Sequence, residues 1–157
     1  MNIRKPIDYS SMYVALDRLM VEELPQGELY FEIGRAVCAR TEKGAAVAAS
    51  EYLQAAYPET IGFSPRNLRR MREFFRIYEN VPELRQLAMK ISWTQNVVIL
   101  EAELTLEERA WYLRATEQSS WSKKELADQI SAPAHLKSYL DDVAGLCYTE
   151  REEIVQE

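Results

Sequence analysis

Apolar residues recur at intervals of three and four along nearly the whole chain, the period of a helix that buries one face. That spacing predicts a first helix from about Ser10 to Glu23, with Met12, Leu16, Leu19 and Met20 on one side, interrupted by Pro25. A second, from Gln26 to Thr41, turns Leu29, Tyr30, Ile33 and Val37 inward, and Gly44 stops it. Ala45 to Tyr57 reads as a third helix, rich in small residues that let it sit close to its neighbours. Pro58, Thr60 and Gly62 break the chain. Ser64 then supplies an N-cap hydroxyl and Pro65 the favoured first helical residue, so a fourth helix runs to about Tyr78. Its apolar face holds Leu68, Met71, Phe75 and Tyr78.

Shorter helices follow. One covers Glu83 to Lys90 after Pro82. Another passes through Val97, Val98, Ile99 and Leu100 from a cap at Ser92 or Thr94. Thr105 with Glu108 forms a capping box, and Ser122 with Glu125 repeats that pattern. Pro133 starts a last helix through Leu136, Tyr139 and Leu140. The segments ISWTQNVVIL and SSWSKKELADQI share a Trp beside a hydroxyl cap, either a small internal repeat or two helices that begin alike. The expected fold is all-α, a compact multi-helix domain of seven to nine helices over residues 1–145. A helix-turn-helix-like unit occupies about 45–78, and an acidic tail covers 146–157.

Composition removes several function classes. Apolar residues make up 47% and charged residues 28% of the 157, enough to bury a core. No window of 18 residues is mainly apolar, and Asp8, Asp17 and Arg18 interrupt the N-terminal stretch. The expectation is a cytoplasmic protein with no membrane partner. Cys38 and Cys147 have no metal spacing and read as buried thiols. A single histidine, His135, has no evident partner in the sequence and leaves no material for a Ser-His-Asp or Cys-His centre. Glu101, Glu103, Glu107 and Glu108 straddle a helix N-terminus, where the helix dipole favours acids, and read as a solvated patch. No enzyme, metal or cofactor is expected.

The net charge of −6 argues against nonspecific nucleic-acid binding by the chain as a whole, but the charge is uneven. PRNLRRMREFFR, residues 65–76, carries five arginines and one glutamate. Arg66, Arg69, Arg70, Arg72 and Arg76 fan over the side of the fourth helix opposite its apolar face. A helix, a break and a capped basic helix is the order of a helix-turn-helix DNA reader. There Arg66, Asn67, Arg69 and Arg70 would meet base edges, arginine pairing with guanine and asparagine with adenine. Arg72 and Arg76 would meet phosphates. The break is longer than in the tightest motifs. The same face could instead dock an acidic protein, such as a separate nuclease subunit or another copy's tail. Trp93, Trp111 and Trp121 could stack bases, although tryptophans in apolar stripes more often pack in a core.

The runs LYFEIGRAV, GFSPRNLRRMREFFRIY, ISWTQNVVIL and ERAWYLRATEQSSWSKKELADQI, in that order, resemble the N-terminal domain of YhcG-like bacterial proteins. The resemblance spans Tyr13 to Ile130 and rests on Phe63-Ser64, Asn67-Leu68, Met71-Arg72, Ser92-Trp93 and Trp121-Ser122. It implies a helical, helix-turn-helix-like, DNA-binding domain of the kind that precedes a PD-(D/E)xK nuclease domain. No strand-rich segment with an Asp followed by Glu/Asp-x-Lys occurs here, so phosphodiester cleavage does not carry over, and the last residues depart from the family pattern. The expected function is therefore non-enzymatic binding of double-stranded DNA, strengthened by homodimerisation.

Overall fold

In a computed structural model of the chain, which describes residues 6–136, eight α-helices follow one another and a further helical stretch begins after Pro133, at Ala134–Leu136. They are α1 (Ser10–Val21), α2 (Gln26–Cys38), α3 (Ala45–Ala56), α4 (Pro65–Tyr78), α5 (Pro82–Ala88), α6 (Trp93–Glu101), α7 (Leu106–Ser119) and α8 (Lys123–Ser131). The described residues contain no strand, and none of their helices is long and apolar enough to cross a membrane. The chain is all-α, as its apolar period requires. Cys147, Tyr139, Leu140 and the acidic tail lie outside the described residues.

Contacts gather into two compact units, one reaching to Trp93 and the other starting at Thr94. In the first, α2 and α4 make the most extensive pairing, with α1 and α3 closing over them. Met12 and Leu16 of α1, Ile33 and Val37 of α2, and Ala49 and Leu53 of α3 meet Leu68 and Met71 of α4 in one buried cluster. Fully burying an aliphatic side chain of this size stabilises by about 1.5–3 kcal/mol. Gly34 lets α2 and α4 touch backbone to backbone. A Cβ there would fall onto the Met71 carbonyl oxygen and stand 2.9 Å from Phe75 Cβ.

Helix α2 stops at Cys38 rather than at Thr41, and the reason is local. Arg40 reaches Glu42 through Nη2 at 2.7 Å and Nε at 3.1 Å, a pairing two residues apart that a helix cannot make. The same guanidinium donates to the Asp8 carbonyl oxygen at 2.9 Å. Across the unit, Asp17 of α1 accepts from two tyrosine hydroxyls, Tyr52 at 2.6 Å and Tyr57 at 2.8 Å. Tyr52 also stacks on Tyr13 with ring centroids 4.2 Å apart, which ties α3 to α1. The two hydroxyls, Tyr52's foremost, hold the Asp17 carboxyl below its usual range. The Tyr52 phenol is pushed up to about 12, chiefly by that bond.

The second unit is held at helix ends. The Thr105–Glu108 capping box closes α7, and the Ser122 hydroxyl caps α8 at Glu125 N–H. Buried Arg109 donates to the carbonyl oxygens of Ile99 at 2.7 Å and Ala102 at 3.2 Å, satisfying the C-terminal end of α6. His135 gains partners that the sequence does not reveal. Its Nε2 lies 2.8 Å from Glu108 Oε2 and its Nδ1 2.7 Å from Tyr112 Oη, fastening the residues after α8 to α7.

Gly34→Ala is expected to lower the unfolding free energy by about 2 kcal/mol or more, the upper part of the overpacking range, as read by urea denaturation. Asp17→Asn is expected to lower the melting temperature at neutral pH. Because the folded carboxyl titrates below its ordinary value of 3.8, its stabilisation is present above that pH and fades as pH falls through the depressed value. The two melting temperatures should therefore converge in acid, and a pH-independent gap would contradict this account.

Candidate nucleic-acid interface

The candidate site begins at the chain between α3 and α4, residues 57–64. Ser50 and Gln54 of α3 donate to the Phe63 carbonyl oxygen at 2.6 and 2.7 Å, and Phe63 itself is buried. Gly62 adopts φ +100°, a left-handed conformation that a side chain rarely accepts, and a Cβ there would meet Tyr30 Oη at 2.5 Å. Ser64 then caps α4 through Asn67 N–H, with Pro65 in the first turn. Ile61 stands 90% exposed four residues ahead of that proline, an apolar projection that periodicity does not single out.

Helix α4 turns Leu68, Met71, Phe74, Phe75 and Tyr78 inward. Phe74 was missing from the face expected from spacing. It fills the interval between Met71 and Tyr78, and its ring meets Tyr78 at 5.2 Å and Trp93 at 5.3 Å. With the buried arc so defined, a 100° step sends Arg66, Arg69 and Arg76 to the far side, and all three are exposed. Arg70 and Arg72 flank the buried arc and are half-buried. The first turn of α4 holds no acid. Glu73 alone interrupts the cationic face, 3.9 Å from Arg76 in an exposed pair. A dense positive face is thus fixed on a rigid, deeply anchored helix.

Asn67 does not join that face. Its Nδ2 donates to the Gly62 carbonyl oxygen at 2.6 Å, and its Oδ1 accepts from Trp93 Nε1 at 2.9 Å. A bidentate contact to adenine would break both bonds. Trp93 packs edge-on against Tyr30, with centroids 4.9 Å apart, and belongs with the core of the first unit. Trp111 and Trp121, in the second unit, are half-buried and line a cavity of about 390 Å³ with Arg114 and Gln118. Arg35 and Arg85 are engaged over the Phe31 ring, at 5.4 and 4.4 Å. The described residues contain no group of three or more His, Cys, Asp or Glu that could hold a metal ion, and the glutamates around α7's start are no exception.

A family model, the DUF1016 N-terminal domain, matches residues 20–137. The chain belongs to this family, the N-terminal domain of the YhcG-like proteins. The match takes in every residue of α2 through α8, the arginine helix included. No curated protein and no solved structure matches the chain.

Asn67→Ala leaves the Trp93 N–H and the Gly62 carbonyl without their partners, and is expected to destabilise the protein by about 1–3 kcal/mol. Arg69→Ala, on the exposed side, should change stability by less than about 0.5 kcal/mol. Urea denaturation of the two variants checks the contrast. Equal effects would mean that Asn67 is not the anchor of the turn.

Proposed function

We propose that this member of the DUF1016 N-terminal domain family is a non-enzymatic protein that binds double-stranded DNA through the outer face of α4. The observation that carries the reading is the split of one helix into two faces. Five buried side chains fix its rotation, and Arg66, Arg69 and Arg76 stand exposed on the opposite side. In this reading Arg66 and Arg69, near the N-terminal end, approach base edges, where arginine can bond guanine bidentately. Arg70, beside them, supports that end of the face. Arg72 and Arg76 meet backbone phosphates.

The α3–turn–α4 order supports a helix-turn-helix-like placement. Its eight-residue connection, 57–64, is longer than the three or four residues of the tightest motifs. The packed Phe63 and the Asn67 bond to Gly62 nevertheless give the two helices a fixed relation. Asn67 drops out as a base reader because its amide is occupied at both ends. With few cationic contacts on an acidic chain, binding should be weak at physiological salt, and a second copy would strengthen it.

Fluorescence anisotropy with random duplex DNA at about 50 and 200 mM salt tests the reading. Wild type should bind at the lower salt and weaken steeply at the higher. Arg66→Ala/Arg69→Ala/Arg76→Ala should lose most of the affinity and flatten the log–log salt slope by roughly 0.9 for each phosphate contact removed. No binding by a folded wild type at low salt would contradict the reading and turn the same face toward an acidic protein partner.

A further inference from the structure

The turn after α2 and one flank of α4 line an open cavity of about 490 Å³ within the first unit. Four cationic side chains line it, Arg40, Lys43, Arg72 and Arg76, against one carboxylate, Glu42. That carboxylate is already taken, because Arg40 holds it at 2.7 and 3.1 Å. Arg40 is itself fixed, donating to the Asp8 carbonyl oxygen and lying 5.0 Å over the Tyr9 ring. Arg40 and Glu42 therefore cancel and form a stiff wall, and Lys43, Arg72 and Arg76 set the charge of the space. Two exposed carboxylates, Glu73 near Arg76 and Glu79, whose charge reaches the Cys38 thiol, weaken that charge little, since exposed pairs are screened by water.

The Arg72 Nε is shut off from solvent and has no hydrogen-bond acceptor. A donor with no accessible surface does not itself face the cavity, so Arg72 meets that space through the rest of its half-buried guanidinium, whose Nε makes no competing bond. The guanidinium fork matches the oxygens of a tetrahedral phosphate better than a single carbonyl would. The Thr41 side chain also lines the cavity, and the Cys38 thiol, 3.5 Å from the Arg72 carbonyl oxygen, closes its inner side.

We propose that this cavity is a phosphate seat, in which Arg72, Arg76 and Lys43 hold the phosphate and the Arg40–Glu42 pair shapes its wall. The seat stands apart from the DNA reading, and only its use by a backbone phosphate rests on that reading. A free phosphate, or the phosphate of a small metabolite, presents the same oxygens.

The test uses the full chain. Melting temperature and ³¹P NMR linewidth are measured with inorganic phosphate against chloride at matched ionic strength, for wild type, Lys43→Gln/Arg76→Gln and Arg69→Ala. Both glutamine replacements sit at exposed positions, and Lys43→Gln alone serves if the pair fails to fold. Phosphate should raise the wild-type melting temperature and broaden the phosphorus line. The glutamine variant should weaken phosphate affinity by at least about tenfold, and Arg69→Ala should leave it unchanged. No phosphate-specific effect on wild type, or an effect that survives the glutamine variant, overturns the proposal.

Duplex anisotropy on the same variants separates the sources. A parallel loss of phosphate and duplex affinity assigns the seat to a backbone phosphate. Loss of the phosphate effect with duplex binding unchanged or absent assigns it to a free phosphate. Duplex binding lost in Arg66→Ala/Arg69→Ala, with no phosphate effect in wild type, overturns the seat and leaves the DNA reading standing.

Discussion

At Gly34 the backbone of α2 lies against the Met71 carbonyl of α4, in space that no side chain at that position could share. The approach brings Phe31 of α2 onto Phe75, with ring centroids 5.1 Å apart, and places Ile33 and Val37 where Leu68 and Met71 can bury against them. Once α4 is pressed this close, its rotation is no longer adjustable. Turning it by one residue would drive an arginine into the cluster and lift a phenylalanine into water, and burying an unpaired charge costs several kcal/mol. The exposed cationic face therefore follows from an apolar contact on the other side of the same helix.

The turn before α4 adds the second constraint, along the helix axis. Phe63 is buried, its carbonyl takes two side-chain hydrogen bonds from α3, and Asn67 links Gly62 to the Trp93 indole. Position and rotation of α4 are thus fixed by separate sets of bonds. The cost is that Asn67, whose amide is chemically suited to reading adenine, is used as a strut. In the proposed DNA-binding reading, recognition is left to arginine, and a charged face on an acidic chain would make such binding depend strongly on salt.

Much of this was legible in the residues. Ser64-Pro65 marked the start of α4 to the residue, and Thr105 with Glu108 marked the start of α7, because caps are local chemistry. The outward placement of Arg66, Arg69 and Arg76 was legible because periodicity gives direction around a helix axis, whereas Arg70 and Arg72, expected on the same outer side, are half-buried at the flanks of the apolar arc. Periodicity does not give neighbours. The fate of Asn67 depends on Trp93, 26 positions later, and that of His135 on Tyr112, 23 positions earlier. The cavity around Arg72 likewise joins α4 to the end of α2, two stretches that no local pattern connects. The family match spans α2 through α8, and within those helices it is the distant contacts that decide which side chains are struts and which are open to a ligand.

The central claim is that the face of α4 opposite Gly34 meets DNA, and an NMR titration of arginine side-chain resonances with a short duplex tests it most directly. The account predicts shifts concentrated at Arg66, Arg69, Arg72 and Arg76, with Arg18 of α1 and Arg35 of α2 unmoved. Shifts spread evenly over all arginines, centred on Arg114 of α7, or absent at low salt would contradict it.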